Sequence, residues 1–340
     1  MLEVRVTKFG SPDVLQLFEL PDPDPGPGEV CIAVRASGVN FADIMARMGL
    51  YPDSGKPPFV TGYECSGVIE KVGEGVDRFK VGDQVIGMRS FGCYANRVVT
   101  SANMVFSIPE NMDHIKAAAF PVTYMTAWHS LVYVGNLHRG ERILIKNAGG
   151  AMGVASVQIA RLRGAEIFGA ASPGKHEFLK ELGVHHPIDY RADNWEEVVK
   201  EMTGGEGVEM IFDPVGGRSL KKSYKLLAHT GRLICYGVSS TARGKTRHLI
   251  PAMIEILGTP KFNPIKMMNR NRGVFGVHIG HLWHRYEIMQ EEMLILVDLM
   301  EQGKLDPVID TTFPLEKAAE AHIHVQERKN FGKVVLTSDL

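Results

Sequence analysis

The run Asn147-Ala148-Gly149-Gly150-Ala151-Met152-Gly153 limits the fold of this chain more than any other feature. It joins a short apolar strand, Arg142 to Lys146, to a helix expected over Val154 to Arg163. Further strands are expected at Glu166 to Ala170, Val208 to Asp213, Leu233 to Tyr236 and Val274 to His278. Helices fall between them, near Lys175 to Leu182, Trp195 to Met202 and Ser219 to Leu227. Strands alternating with helices imply a parallel sheet. A glycine-rich turn after the first such strand is where a sheet of this kind holds a dinucleotide. Backbone without a Cβ at Gly150 approaches the pyrophosphate, and the N–H groups of the helix start favour its charge. Ala148 takes the first glycine position of the pattern, followed by Gly150 and Gly153, with Gly149 between. A tight strand–helix turn that binds nothing is the plainer alternative.

The end of the second strand bears on which dinucleotide. A site that prefers NAD has an acid about 20 positions past the loop, for the ribose hydroxyls. Here the chain reads Ala170-Ala171-Ser172-Pro173-Gly174-Lys175. A hydroxyl and an ammonium suit a phosphate on that ribose, so NADPH is the expected cofactor, with Ser172 and Lys175 as its contacts. The rival reading of Lys175 is a solvated lysine at a helix start. Tyr190, after the third strand, is a candidate neighbour of the adenosine phosphate or a packing aromatic.

The first third reads differently, as short β-type runs divided by turns. Val30 to Ala36 alternates, Gly67 to Lys71, Val85 to Gly87 and Tyr94 to Thr100 follow, and the proline-rich Pro21 to Gly28 is a surface connection. At 340 residues the chain has room for two domains, and 38 Lys+Arg against 39 Asp+Glu argues against a nucleic-acid binder held by bulk charge. The four cysteines, Cys31, Cys65, Cys93 and Cys235, form no Cys-x-x-Cys pair, so neither a disulfide framework nor a zinc knuckle is indicated and a reducing, cytoplasmic setting is expected. Met1 to Val6 reads as a strand and not as a signal peptide. From Ala117 to Leu137 no charged residue occurs, but Pro121, Thr123, Thr126, His129 and Ser130 interrupt the run, so a buried helix is expected there and not a membrane span.

Motifs in order along the chain carry a resemblance. Gly38 to Asp43, Gly62 to Val68, Val72 to Val76, Val81 to Val85, Thr126-Ala127-Trp128, the glycine loop and Gly332 to Leu336 are similar to the medium-chain dehydrogenase/reductase superfamily, specifically its zinc-free quinone oxidoreductase branch. Met45-Ala46-Arg47, Ser172 to Glu177 and Phe275 to Gly280 look most like the vesicle amine transport protein homologues within it. The resemblance implies an α/β fold: a GroES-like β-rich catalytic domain from residues 1–120 and 283–340, and a doubly wound Rossmann domain over 121–282 that binds NADPH. Zinc-containing relatives have a ligand cysteine near Gly38-Val39-Asn40 and a Gly-His-Glu motif where this chain reads Gly62-Tyr63-Glu64, so no metal is expected.

Without zinc as Lewis acid, an oxygen gaining negative charge needs hydrogen-bond donors or a proton source. The resemblance supplies Tyr51 and Asn40 as catalytic candidates, Asn40 and Thr126 near the nicotinamide ribose or substrate, and Asn330 as a further cofactor contact. Tyr51 is the candidate donor, since a phenol is protonated at neutral pH. The rival readings are a helix cap for Asn40, a wall for Tyr51 and a bond within its own helix for Thr126. Asp43 is read as fixing its loop, and Tyr63 as a plug in the lost histidine position. His278, His281 and His284 recur every third residue, but on an α-helix they would drift around the surface, and no carboxylate lies within the cluster.

Between Ser240 and Gly273 seven Lys/Arg (Arg243, Lys245, Arg247, Lys261, Lys266, Arg270, Arg272) face one acid, Glu255, around the apolar Leu249 to Leu257. This basic insertion, near 240–273, reads as a solvated segment, as a lid over substrate, or as a peripheral membrane or partner contact. The leading expectation is an NADPH-dependent, zinc-independent reductase of quinones or other α,β-unsaturated carbonyls, acting as a homodimer. An enoyl-thioester reductase is one alternative, and a cofactor-binding interaction protein with little turnover is another.

Overall fold

The computed structural model describes residues 1–242, 244–246 and 248–338, which separate into two units: Met1–Met125 with Gly244–Arg247 and Gly280–Leu340, and Thr126–Arg243 with His248–Ile279. In the second unit six runs, Arg142–Lys146, Glu166–Ala171, His186–Asp189, Val208–Asp213, Leu227–Cys235 and Gly273–Gly276, form one sheet. Every neighbouring pair is parallel. Across the sheet their order is third, second, first, fourth, fifth, sixth. The order reverses between the first and fourth strands, and a crevice forms outside their carboxyl ends at such a point. The centre is apolar on both faces, as a strand covered by helices on both sides must be. Ile143, Leu144 and Ile145 are fully buried, and Leu144 shares a core with Phe168, Ile188, Ile211 and Leu233. The helix Trp195–Met202 seals that core with Trp195 and Val199, four residues apart on one face.

The elements depart most from the sequence reading at two places. The helix Ser219–Lys225 stops early and the fifth strand starts at Leu227, because Leu226 and Leu227 turn into the core. The uncharged stretch after Lys116 is broken: His114–Ala119, Pro121–Trp128 and a π-helical turn, His129–Val134, follow one another. Pro121 has no amide hydrogen to continue the preceding helix, so a new one starts there. Among the described residues no helix is long and apolar enough to cross a membrane.

The first unit is β-rich. Ile309–Pro314, Lys333–Thr337, Glu29–Val39, Glu64–Val72, Gln84–Met88 and Val105–Ser107 lie side by side, and Arg97–Ser101 also pairs with Glu29–Val39. A smaller sheet joins Leu15–Glu19, Leu2–Val6 and Phe59–Val60. Strand Glu29–Val39 alternates over Ile32 to Ala36 as its sequence suggested, with Ile32, Val34 and Ala36 buried and Arg35 exposed. Cys31 and Ser37 to Val39 are buried as well, since the strand has partners on both edges and carries the helix His114–Ala119 on one face. Gly67 shows how tight the crossing is: a methyl there would lie 2.1 Å from the Ala33 carbonyl oxygen. The C-terminal strand pairs antiparallel, Val334 opposite Val39, which brings Lys333 level with Asn40.

The basic insertion is solvated over much of its length and is tied down at its two ends. Gly244 to Thr246 joins the β-rich unit: Gln326 donates to the Gly244 carbonyl (2.9 Å), Arg47 to the Lys245 carbonyl (3.4 Å), and the Lys245 ammonium pairs with Glu327 (2.7 Å). Arg243 and Arg247 lie outside the described residues. Arg272 donates to the carbonyls of Tyr224 (3.0 Å), Ala228 (3.1 Å) and Leu227, so it holds a chain turn and adds nothing to a basic face. The helix Leu249–Leu257 turns its apolar side outward, leaving Ile250, Met253 and Leu257 exposed, while Ala252 and Glu255 face in. Glu255 is drawn in because it meets the Arg218 guanidinium at 2.9 Å.

Candidate functional site

In the parallel-sheet unit the glycine loop leaves the first strand through Asn147, at φ +58°, and Gly150 takes the cap position of the helix Ala151–Leu162. No side chain caps that end, so its first N–H groups are not spent on a protein side chain. Two of the three candidate glycines have reasons inside the protein. A methyl at Gly153 would stand 2.2 Å from the Ala148 carbonyl oxygen, so the helix packs onto the loop only without one. A methyl at Gly149 would stand 2.7 Å from Lys175 Cδ. The stem of Lys175 therefore lies across the loop, and a residue read 26 positions away is brought onto it. At Gly150 a methyl would meet no backbone closer than 3.7 Å, only the Asn147 amide nitrogen at 3.1 Å, so the protein alone demands glycine less there.

Ser172 follows the second strand half-buried, at the cap of the short turn Pro173–Lys175, with its hydroxyl making no cap bond. Tyr190 follows the third strand, half-buried against the core, with the Arg191 guanidinium 5.9 Å from its ring centroid. Both therefore sit at the carboxyl edge of the sheet, as does the loop. Thr126 is half-buried on the helix Pro121–Trp128.

Sequence reasoning missed a buried cluster at the same edge. Lys146 closes the first strand and Asp213 the fourth, so the strand-order reversal sets them side by side with the ammonium 2.9 Å from the carboxylate. Ser219 and Ser223 accept from the same ammonium, and Ser223 also donates to Asp213 at 2.6 Å. The other Asp213 oxygen accepts from the Val215 (2.7 Å) and Gly216 (3.2 Å) amides. The pair thus shapes the loop beyond the fourth strand. Its signal was a lysine ending an otherwise apolar strand.

In the β-rich unit Asn40 precedes the helix Phe41–Arg47. Its side chain does more than cap: Nδ2 donates to Glu64 Oε1 (2.7 Å), and Oδ1 accepts from the Lys333 ammonium (2.7 Å). Lys333 also meets Glu64 Oε1 at 2.5 Å, and Glu64 Oε2 accepts from the Val122 amide at 2.7 Å. Both charges are fully enclosed, with 3% and 0% side-chain exposure, so each depends on the other. Asp43 is the loop fastener that its position suggested. It accepts from the Asn40 amide (2.7 Å), Thr61 (2.6 Å), the Gly62 amide (2.8 Å) and the Tyr94 hydroxyl (3.3 Å), while burial pushes its carboxyl up to about 6. Asn330 donates to the Gly332 carbonyl at 2.7 Å, just before the strand that carries Lys333.

Tyr51 lies beyond that helix. Its ring meets Tyr63 edge-on (centroids 6.2 Å, 62°) and Phe91 edge-on (6.5 Å, 77°), and Phe91 in turn contacts Tyr63 at 5.0 Å and Phe59 at 5.9 Å. Tyr51 also lines an open hollow of about 380 Å³ with Phe9, Leu50, Pro52, Ser54 and Lys56. Burial, helped by the charge of Asp53, pushes its phenol up to about 12, so the proton is retained throughout the neutral range.

The donors do not fit the zinc site of the metal-containing relatives. Asn40 and Tyr63 stand near their cysteine and histidine positions, and the carboxylate at position 64 already holds an ammonium at 2.5 Å. The histidines do not disperse as they would on an α-helix: Ile279–Arg285 is a 3₁₀ helix, in which residues three apart align, so His281 and His284 share a face. A carboxylate also arrives from a distant segment, Asp53 at 2.9 Å from His281, both of them exposed.

A family model described as zinc-binding dehydrogenase matches residues 182–336, and one described as alcohol dehydrogenase GroES-like domain matches residues 26–110. The synaptic vesicle membrane protein VAT-1 homolog of Homo sapiens is 38% identical over 334 residues, covering 97% of this chain and 85% of that protein. Its Danio rerio counterpart is 38% identical over 313 residues, and there the chain spans 64% of the relative's length. Quinone oxidoreductase of Homo sapiens is 32% identical over 340 residues, 99% of this chain and 97% of that one. Among solved structures, human VAT-1 homolog-like protein superposes with a TM-score of 0.87 at 32% identity, covering 100% of this chain and 98% of that one. Escherichia coli quinone oxidoreductase complexed with NADPH gives 0.88 at 26% (99% and 100%), and CurK enoyl reductase 0.86 at 28% (99% and 99%). Identity above 30% along nearly the whole chain, with both family models in sequence order, makes this protein a member of the medium-chain dehydrogenase/reductase superfamily, in the quinone oxidoreductase-like branch that includes the VAT-1 homologues.

Proposed function

We propose that this protein is an NADPH-dependent, zinc-independent reductase of quinones or other α,β-unsaturated carbonyls. The observation that carries the reading is the Lys175 stem lying across Gly149, which sets an ammonium beside an uncapped helix start where no acid follows the second strand. Gly149, Gly150 and Gly153 would cradle the pyrophosphate, Ser172 and Lys175 the ribose phosphate, with Tyr190 beside the adenosine and Thr126, Asn40 and Asn330 toward the nicotinamide end. When bound, the cofactor supplies a hydride. Tyr51, protonated and facing a hollow, donates to the oxygen that gains charge as the double bond is reduced. Asn40 orients: Glu64 and Lys333 hold its amide from both ends, and Nδ2 keeps a second hydrogen for substrate or ribose.

The likeness to CurK enoyl reductase favours a second reading, reduction of an enoyl thioester by the same groups. The exposed apolar side of Leu249–Leu257, with the exposed Lys261, Lys266 and Arg270 nearby in sequence, supports a third, a peripheral membrane or partner contact with little turnover. A cytoplasmic homodimer accompanies the leading reading. Cofactor consumption measured with NADPH and NADH against a quinone, a simple enone and an enoyl thioester tests it. Faster turnover with NADPH and either of the first two acceptors supports the reductase, thioester preference supports the second reading, and tight NADPH binding without turnover supports the third.

A further inference from the structure

Tyr63 is the one buried hydroxyl of the Tyr51 cluster that the mechanism above does not use. It is 6% exposed, its oxygen is shut off from solvent, and among the described residues no group stands in full hydrogen-bonding geometry to it. Buried hydroxyls without partners are rare, since each forfeits the bond it made to water. Its position in the sequence offers no explanation: Tyr63 is more than a plug, because a phenylalanine would fill the same space without an orphaned O–H. The neighbour within reach is Tyr51, which meets it ring edge to ring. The two phenols differ in what lies on their far sides. Tyr51 lines the open hollow and Tyr63 does not, so a ligand in the hollow reaches Tyr51 alone.

We propose that Tyr63 is a positioning residue for Tyr51, turning its O–H onto the Tyr51 oxygen when that oxygen gives up its proton. The proposal rests on the reductase reading only for its effect on turnover. In the two-electron reduction of an enone, the hydride comes from the cofactor and the proton from the Tyr51 hydroxyl. The oxygen left behind is anionic and buried. Tyr63 donates a hydrogen bond to it and keeps its own proton, and Tyr51 is later reprotonated from water through the hollow. A small turn of the Tyr63 ring or of its O–H completes the bond, and the gain is largest when the acceptor is charged. The mutual influence of the phenols has the matching sign: Tyr63 favours ionisation of Tyr51, while Tyr51 disfavours ionisation of Tyr63. The other ionisable groups facing the pair, Asp43 and Asp53, are acids that oppose ionisation of both, so a neutral donor is what the site lacks without Tyr63.

The test places 3-fluorotyrosine at position 51, whose phenol is more acidic than tyrosine's, and follows its ¹⁹F shift against pH in the full chain. Tyr63→Phe keeps the ring and removes only the hydroxyl. It should move the fluorophenol midpoint upward by about one pH unit, a tenfold change in ionisation constant. With natural tyrosine at 51 it should lower enone turnover by about tenfold, leaving the NADPH dissociation constant unchanged. Phe91→Leu disturbs the same cluster and leaves both hydroxyls, so it should leave the midpoint in place. An unmoved midpoint in Tyr63→Phe overturns the proposal, as does an equal shift in Phe91→Leu, which would make the effect one of packing. A shifted midpoint in a protein that reduces no enone leaves the pairing standing and removes the reductase reading instead.

Discussion

The parallel-sheet unit and the β-rich unit assemble their candidate residues by opposite means. In the first, the pieces are local and made mostly of backbone: Gly149, Gly150 and Gly153 lie within five residues, and Lys175 reaches the loop from the next strand's end. In the second, the pieces are side chains from distant segments. Asn40 is bonded to Glu64, 24 residues on, and to Lys333, 293 residues on, and the three meet only because the last strand pairs in one register with Glu29–Val39. A backbone cradle survives many substitutions and fails by a misplaced Cβ. A buried charge network fails when one partner is removed, since the remaining charge has no water to turn to.

The largest effect should therefore come from Lys333→Met, which strands the Glu64 carboxylate. We expect a loss of about 3–5 kcal/mol of stability in urea denaturation, and partial recovery in the double variant with Glu64→Gln. A single variant as stable as the parent would show that the network is not the weak point we take it for. Tyr51→Phe should lower enone turnover by about a hundredfold at saturating NADPH, with unfolding unchanged within about 0.5 kcal/mol. Gly153→Ala should weaken NADPH binding by about tenfold or more, because a methyl 2.2 Å from the Ala148 oxygen must move the helix start. Fluorescence titration reads this, and an unchanged affinity would mean that the helix start does not hold the cofactor. The smallest effect, about tenfold in the Michaelis constant for NADPH and none for NADH, is expected of Lys175→Ala. Parallel changes for both cofactors would remove the phosphate contact.

The same contrast explains what the sequence disclosed. The helix Trp195–Met202 falls where turn residues and apolar spacing put it, and the alternation of elements names the sheet. The pairing of Glu64 with Lys333 was hidden, although both residues lie in motifs that carry the family resemblance, because a charge inside an apolar strand does not say which distant charge meets it. Lys146 and Asp213 were hidden for the same reason, each ending a strand whose neighbour is set by topology. Local period misled twice. His281 and His284 looked dispersed on an α-helix and are aligned on a 3₁₀ helix. The apolar run Leu249 to Leu257 looked like a face seeking cover, yet Ala252 and Glu255 are the residues it buries, the latter drawn in by Arg218. Tyr51 and Tyr63 were each visible alone, but their contact needed the fold.

The assignment of Lys175 to the cofactor phosphate and of Tyr51 to proton transfer is tested most directly by rapid-mixing kinetics on Tyr51→Phe and Lys175→Ala. The NADPH dissociation constant and the hydride-transfer rate at saturation are measured for both variants, with one enone. The account predicts a crossed result: Lys175→Ala changes the dissociation constant and keeps the rate, and Tyr51→Phe changes the rate and keeps the dissociation constant. Both variants altering both quantities to the same degree would contradict it.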